Sequence, residues 1–363
     1  MSWIALSDQI RQVFDPAGIG ATAPDVTLDL SPNSLLSRGT LTFEMRLPGD
    51  GRPRRLLGYH RDHPWISSLS LQILPTGGIA LVITQGRDVF HTVLEHEAVT
   101  QAEELRVSYS WDGPARWGRL AIERIRSGHV FLKELSDPKP LLLSDLRVMT
   151  LDPLQRQMDR CVRFFAVSTA IEPLGPMPSL SAQVPVLTDQ GYRPAARIRR
   201  GDLLQSASGD LVPVLHVISR EVPSLGSFAP VLLRAPYFGL QRDLVVGAEQ
   251  CLRTAGSAVE YLFGRSHVRI PATHLVNGVS AIRARVGDTL RYYQFVLPGN
   301  EPCIIAGAPF ETLFLGRQRR DAGLMQASLL AGAERARLPE HQAPDCPMVD
   351  QFEAITLAEL RAA

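Results

Sequence analysis

Apolar residues recur at every second position in run after run along the first half of this chain, a period that strands can bury and helices cannot. Leu41, Phe43, Met45 and Leu47 alternate with polar neighbours until Pro48-Gly49-Asp50-Gly51 interrupts them. Leu69, Leu71 and Ile73 repeat the rhythm, Pro75-Thr76-Gly77-Gly78 turns the chain, and Ile79, Leu81 and Ile83 resume it. That pattern predicts a hairpin whose glycine supplies a positive φ. Leu105, Val107, Tyr109 and Trp111 form the cleanest alternating run, closed by Asp112-Gly113-Pro114. Leu120 and Ile122 open another strand, and Ser127-Gly128 separates it from Val130 and Leu132. Many short strands, frequent turns and no long helical pattern predict a β-sandwich.

The length of 363 residues accommodates two domains, each able to bury a core. Two prolines in Gly175-Pro176-Met177-Pro178 block both helix and central strand, so this tetrapeptide reads as a linker between residues 1–174 and 179–363. Lys plus Arg (38) nearly cancel Asp plus Glu (37), which argues against nucleic acid or an anionic membrane as partner. No run reaches the ~18 apolar residues of a membrane span. The first residues, Met1-Ser-Trp-Ile-Ala-Leu-Ser-Asp, lack a basic region and a long apolar stretch, so a cytoplasmic location is the default expectation, with leaderless export left open. Cys161, Cys251, Cys303 and Cys346 lie far apart without a C-x-x-C pair and read as free thiols. Neither a metal nor any other cofactor is expected.

Within the first half, Gly39-Thr40-Leu41-Thr42-Phe43-Glu44, Leu105-Arg106-Val107-Ser108-Tyr109-Ser110-Trp111-Asp112 and Gly118-Arg119-Leu120 resemble the strands of laminin-G or concanavalin-type jelly rolls over roughly residues 35–170. The second half carries a different set of blocks. Val184-Pro185-Val186-Leu187-Thr188-Asp189-Gln190-Gly191 leads to Arg200-Gly201-Asp202-Leu203-Leu204. Then come Arg242-Asp243-Leu244-Val245-Val246, Glu260-Tyr261-Leu262-Phe263-Gly264 and Val268-Arg269-Ile270-Pro271-Ala272-Thr273-His274-Leu275. Tyr292-Tyr293-Gln294-Phe295 and Ala306-Gly307-Ala308-Pro309-Phe310 follow. In order and spacing, from about 179 to 316, these blocks resemble bacterial Hint (Hedgehog/intein-type) domains, which implies a compact, pseudo-two-fold β fold of hairpins.

Domains of that family cut or rearrange their own backbone. The resemblance implies a nucleophile at the domain's first position that attacks the preceding carbonyl, and a histidine that protonates the departing amide nitrogen. The first position falls on Ser179, or on Ser181 if the register slips by two. The histidine block aligns with Gly247-Ala248-Glu249-Gln250, which puts Gln250 in the acid's place. Gln294 and Asn300 occupy the slots of two later family histidines. A glutamine can hydrogen-bond but cannot deliver a proton, so the catalytic set reads as eroded. His274 remains in a family block, either as a participant or as a hydrogen-bonding residue of a packed hairpin, and Glu249 reads as a solvated strand-end carboxylate.

Other groups weigh less. Arg200-Gly201-Asp202 spells an adhesion tripeptide inside a family turn and reads as coincidence. His91, Glu95, His96 and Glu97 do not have metal-ligand order, and on a strand the two histidines would face opposite sides. Tyr59-His60-Arg61-Asp62-His63-Pro64-Trp65 reads as a loop in which Tyr59, His60 and Trp65 are candidate ligand contacts. Residues 321–336 are expected to be helical, with Leu324, Leu329 and Leu330 inward, and 350–363 to form an amphipathic helix docked on the second domain. The expectation is therefore a mainly β chain, a sandwich followed by a Hint-like domain with C-terminal helices. Autoprocessing is expected to be lost, leaving a binding or scaffold role. The alternatives are slow self-cleavage at Pro178–Ser179 and glycan recognition by the sandwich, through which a protein partner is also conceivable.

Overall fold

The computed structural model describes residues 3–20, 31, 33–63, 65–97 and 101–362. The expectations for residues 21–30 and for Pro64 therefore lie outside the described residues. The chain divides into two units, Met1–Pro173 and Leu174–Ala363, each with its own core. It is mainly β, with antiparallel sheets in both units and a few short helices, as the alternation predicts.

The first unit is a sandwich of a seven-stranded and a five-stranded antiparallel sheet. The larger sheet runs in the order Val130–Ser136, Trp117–Arg124, Glu103–Asp112, Arg38–Leu47, Val162–Ser168, Trp3–Asp8, Gln12–Phe14. The smaller runs Arg156–Met158, Arg54–Arg61, Ser67–Ile73, Ile79–Gln85, Asp88–Leu94. Leu41, Phe43, Met45, Val107, Tyr109 and Trp111 from one sheet share a core with Leu57, Leu69, Leu71, Leu81 and Ile83 from the other. The expected hairpin forms between Ser67–Ile73 and Ile79–Gln85, with Gly77 at φ +98° in its turn. The central strands of the larger sheet are buried on both faces. Opposite the apolar side, Thr40 faces Ser110, Thr42 faces Ser108, and Glu44 faces Arg106. The hydroxyl pairs lie at 3.0 Å, and Arg106 donates to Glu44 at 2.8 Å, so each buried polar group has a partner across the ladder.

Two readings of this half need correction. The segment expected to be a loop around Tyr59 begins inside a strand, Arg54–Arg61. A register shift between Arg55 and Leu57 buries both Leu56 and Leu57 and breaks the alternation that would reveal that strand. A nine-residue helix, Leu143–Leu151, also enters the sandwich core through Leu146 and Met149. Its i, i+3 spacing is short and hidden behind the apolar run Leu141-Leu142-Leu143.

The second unit contains a six-stranded sheet ordered His216–Pro223, Thr289–Val296, Leu180–Ser181, Leu244–Gly247, Pro230–Leu233, Ala281–Arg283. An eight-stranded sheet accompanies it, built around Pro185–Thr188, Cys303–Ile305, Ala308–Phe310, Cys251–Ala255 and His267–Pro271. Leu180, Val186, Val246, Leu252, Ile270, Phe295 and Phe310 lie in its core. The tetrapeptide 175–178 belongs to this unit. Leu174 bridges to Ser328, and Pro178 is buried. That bridge explains a third correction: the helix expected over 321–336 is confined to Ala322–Ala327. Ser328 leaves helical geometry to meet Leu174, and its hydroxyl donates to the Met325 carbonyl. Met325 and Leu330 are buried there, while Leu324 is half-buried. The C-terminal helix, Gln351–Ala362, packs Ala354 and Leu357 into the unit's core as expected of an amphipathic segment. Among the described residues, no helix is long and apolar enough to cross a membrane.

Candidate functional site

Leu180 is the residue that assembles the site. It pairs with Val246 on one side and with Tyr293 on the other, so the two-residue strand Leu180–Ser181 is wedged between Leu244–Gly247 and Thr289–Val296. Ser179, immediately before it, is thereby held against the ends of both neighbours. Its carbonyl accepts from the Gly247 N–H at 2.6 Å. A Cβ on Gly247 would lie 3.2 Å from the Ser179 Cβ, closer than nearly all side chains tolerate, so glycine lets the two backbones approach. The turn after Gly247 then places Gln250, whose own N–H donates to the Gly247 carbonyl at 3.0 Å.

Three side chains meet there. The Ser179 hydroxyl donates to Gln250 Oε1 at 2.6 Å. Gln294 Nε2 donates to the same Oε1 at 2.9 Å and lies 3.3 Å from Ser179 Oγ. The orientation of Gln250 is fixed from behind, since its Nε2 donates to the carbonyls of Cys251 at 3.1 Å and Glu311 at 2.9 Å. Two carbonyls can only be met by the amide nitrogen, which leaves the oxygen facing Ser179. Gln294 is likewise fixed, because its Oε1 accepts from the Phe295 N–H at 3.2 Å. Both glutamines are 3% exposed, so water does not compete for these bonds, and Ser179 is half-buried.

The three side chains of this network include no group that titrates near neutral pH. Glu311 enters it through a backbone carbonyl, while its carboxylate pairs with Arg269 at 3.3 Å. Burial pushes that carboxyl above the usual range, and the Arg269 guanidinium opposes the shift. Cys251 is next to Gln250 but 8% exposed, and burial pushes its thiol well above the ordinary value, which disfavours a thiolate.

The structure thus brings Ser179, Gln250 and Gln294 together and puts the other candidates elsewhere. Ser181 lies two positions beyond Ser179, opposite Tyr292. Asn300 is outside the network, with its Oδ1 buried and unpartnered. His274 sits on the turn Ala272–Leu275, its Nδ1 3.0 Å from the Val349 carbonyl that precedes the C-terminal helix. The backbone carbonyl of Glu311 is the member that sequence reasoning misses, and no residue letter could signal it. Asp202 of the Arg-Gly-Asp turn is occupied, accepting from Arg193 Nη1 at 3.0 Å and from the Arg199 N–H at 2.8 Å.

In the first unit, Tyr59 is not a surface contact. It is 3% exposed, and its hydroxyl donates to Asp145 Oδ2 at 3.0 Å. His60, next along the strand, is exposed, and Trp65 is 44% exposed in the following loop. His91 is exposed on the strand Asp88–Leu94, whereas His96 lies beyond that strand, buried, with Nδ1 2.8 Å from the Glu97 carbonyl. All four cysteines are unpaired.

No curated protein matches this chain at a significant level. Among solved structures, the chain is similar to the Ruminococcus gnavus IT-sialidase CBM40 at 14% identity, covering 37% of this chain and 77% of that one with a TM-score of 0.27. It is similar to the MchDnaB-1 intein (N145AA) at 15% identity, covering 37% of this chain and 98% of that one with a TM-score of 0.27. A leech intramolecular trans-sialidase matches at 11% identity over 52% of this chain and 29% of that one, with a TM-score of 0.26. The family model described as Hint domain matches residues 178–317, a span that starts one residue before Ser179 and contains Gln250 and Gln294. Over that span the second unit is similar to the Hint domain family.

Proposed function

We propose that this Hint domain holds its N-terminal junction intact rather than cutting it, and that the protein acts as a binding or scaffold protein. The observation that carries this reading is the 2.6 Å hydrogen bond from the Ser179 hydroxyl to Gln250 Oε1. Self-cleavage would require Ser179 Oγ to attack the Pro178 carbonyl carbon. The Pro178–Ser179 C–N bond would then break, leaving an ester on the oxygen and a free amine on Ser179. The attacking oxygen must lose its proton and the leaving nitrogen must gain one. An amide oxygen is too weak a base to take the first, and the amide groups of Gln250 and Gln294 have no acidic proton to supply the second. General acid–base assistance is worth ~10²–10⁴-fold, so two glutamines in its place slow the shift by that order. Slow self-cleavage is the competing reading, favoured by the half-buried Ser179 hydroxyl at the domain's first position. Intact mass after incubation with hydroxylamine separates the two: a non-cleaving domain keeps full mass, and a cleaving one yields fragments that meet between Pro178 and Ser179.

Binding falls to the sandwich, in which the likeness to laminin-G and concanavalin-type folds supports carbohydrate recognition as a further reading. The outward side of its five-stranded sheet carries Ser68, Ser70, Gln72 and Thr84, all partly exposed, interleaved with Ala80, Val82 and Val89 and joined by His60 and His91 from the flanking strands. The hydroxyl and amide groups among these residues can pair with the hydroxyls of a sugar. A glycan array probed with the full chain is expected to give binding that falls in Gln72→Ala. Signal no higher than background would remove the carbohydrate reading and leave a protein partner.

A further inference from the structure

The second unit also has a concavity of about 640 Å³ that the Ser179 network does not use. Its size is that of a small-molecule site, for which roughly 300–1,000 Å³ is usual. The floor follows from strand pairing. Arg253 lies opposite Arg269 in one hairpin, Ile304 lies opposite Pro309 in the next, and Leu252 pairs with Phe310 where the hairpins join. Arg253, Pro309 and Ile304 therefore form a row, cationic at one end and apolar at the other. Phe238 forms a wall, on a loop tied down by the Gln241 N–H bonded to the Ala306 carbonyl at 2.8 Å. Phe238 itself has φ +61°, a conformation that a residue with a Cβ adopts only where its surroundings impose it.

The charge in this concavity is one-sided. Arg253 and His267 line it, and among the described residues no acidic one does. The neighbouring Arg269 is matched by Glu311 at 3.3 Å, whereas Arg253 pairs with Asp345 at 3.8 Å, whose side chain is 89% exposed. An ion pair that long and that exposed is weak and readily displaced. Arg253 is at the same time mostly covered, with 23% side-chain exposure, so its charge acts in a partly desolvated setting.

We infer that this concavity binds a small anion carrying a flat apolar body, an aryl phosphate or aryl carboxylate, with the anion on Arg253 and the ring between Phe238 and the Ile304–Pro309 floor. His267, opposite Ala255 and so on the same face as Arg253, stands at the anion's end of the site.

Calorimetric titration of the full chain with phenyl phosphate and with benzoate tests this, with inorganic phosphate and benzyl alcohol as the two halves of the ligand. At least one aryl anion is expected to bind more tightly than either half, and its Kd is expected to rise about tenfold or more in Arg253→Met, the scale of losing a charged hydrogen bond. Ile304→Ser, which leaves the charge in place, is expected to weaken the aryl anions while leaving inorganic phosphate unchanged. Circular dichroism of both variants establishes that they are folded, and if Arg253→Met is not, Ile304→Ser decides alone. The inference is overturned if neither aryl anion binds, if inorganic phosphate binds as tightly as phenyl phosphate, or if the folded variants bind as the parent does.

Discussion

At the scale of single residues, the site is governed by which ends of two amides face a serine. Gln250 satisfies the Ser179 hydroxyl, the Gln294 amide N–H and two backbone carbonyls at once, so truncating it removes a partner from four polar groups. Gln250→Ala is expected to destabilise the second unit by roughly 1–3 kcal/mol in urea unfolding, the cost of unsatisfied buried groups. An unchanged midpoint would mean that water enters and replaces the lost bonds. His341 offers a second test. It is 4% exposed, its Nδ1 accepts from the Leu315 N–H at 3.1 Å, and its Nε2 lies 3.0 Å from the Leu297 carbonyl. That arrangement requires the neutral ring. Burial lowers its pKa, while the Leu297 carbonyl and Glu301 oppose the shift. A depressed folded-state pKa gives stability that is fully present above the unfolded value of about 6.5 and is lost as pH falls from there toward the folded value. The pH-dependent loss between about pH 7 and pH 5 is expected to shrink in His341→Gln, and equal slopes in the two proteins would contradict this assignment.

At the same scale, legibility from sequence depends on whether a side chain carries the role. Ser179, Gln250 and Gln294 are legible because each occupies a position in a block of recognisable spacing, and strand pairing brings those blocks together around Leu180. The Glu311 contribution is not legible, since a carbonyl belongs to every residue. Tyr59 reads wrongly as a surface contact because burial of both Leu56 and Leu57 hides the strand that carries it.

Among the elements, the helix Leu143–Leu151 shows how a single buried acid can tie a helix to a sheet. Asp145 is 0% exposed and receives the hydroxyls of Tyr59 at 3.0 Å and Ser67 at 2.6 Å, while Arg61 Nη2 lies 2.6 Å from its other oxygen. Three groups from two adjacent strands thus converge on one helical carboxylate. Asp145→Ala leaves the largely covered Arg61 charge without its partner, and the expected cost is about 3–5 kcal/mol. Thermal or urea unfolding of the variant checks this, and a loss below about 1 kcal/mol would mean that Arg61 swings out to solvent instead. Strands with clean alternation, such as Glu103–Asp112, are readable because a one-residue slip would turn every side chain to the wrong face. The C-terminal helices divide along the same line. Gln351–Ala362 is readable from its amphipathic pattern. The stop after Ala327 is not, because it depends on a pairing with Leu174, far away in sequence.

For the whole molecule, two units in tandem each fold around a core of their own. The sandwich presents two antiparallel sheets, and the second unit holds the Ser179 hydroxyl against Gln250 and Gln294. Charge is nearly balanced, 38 basic against 37 acidic side chains, so net charge alone favours no partner of either sign. The central claim is that the chain stays whole across Pro178–Ser179. Intact mass spectrometry of the freshly purified full chain, before and after hydroxylamine, tests it most directly. A single species at full mass in both samples is the predicted result. Two fragments meeting between Pro178 and Ser179, absent in Ser179→Ala, would contradict the account and make Ser179 a working nucleophile despite Gln250 and Gln294.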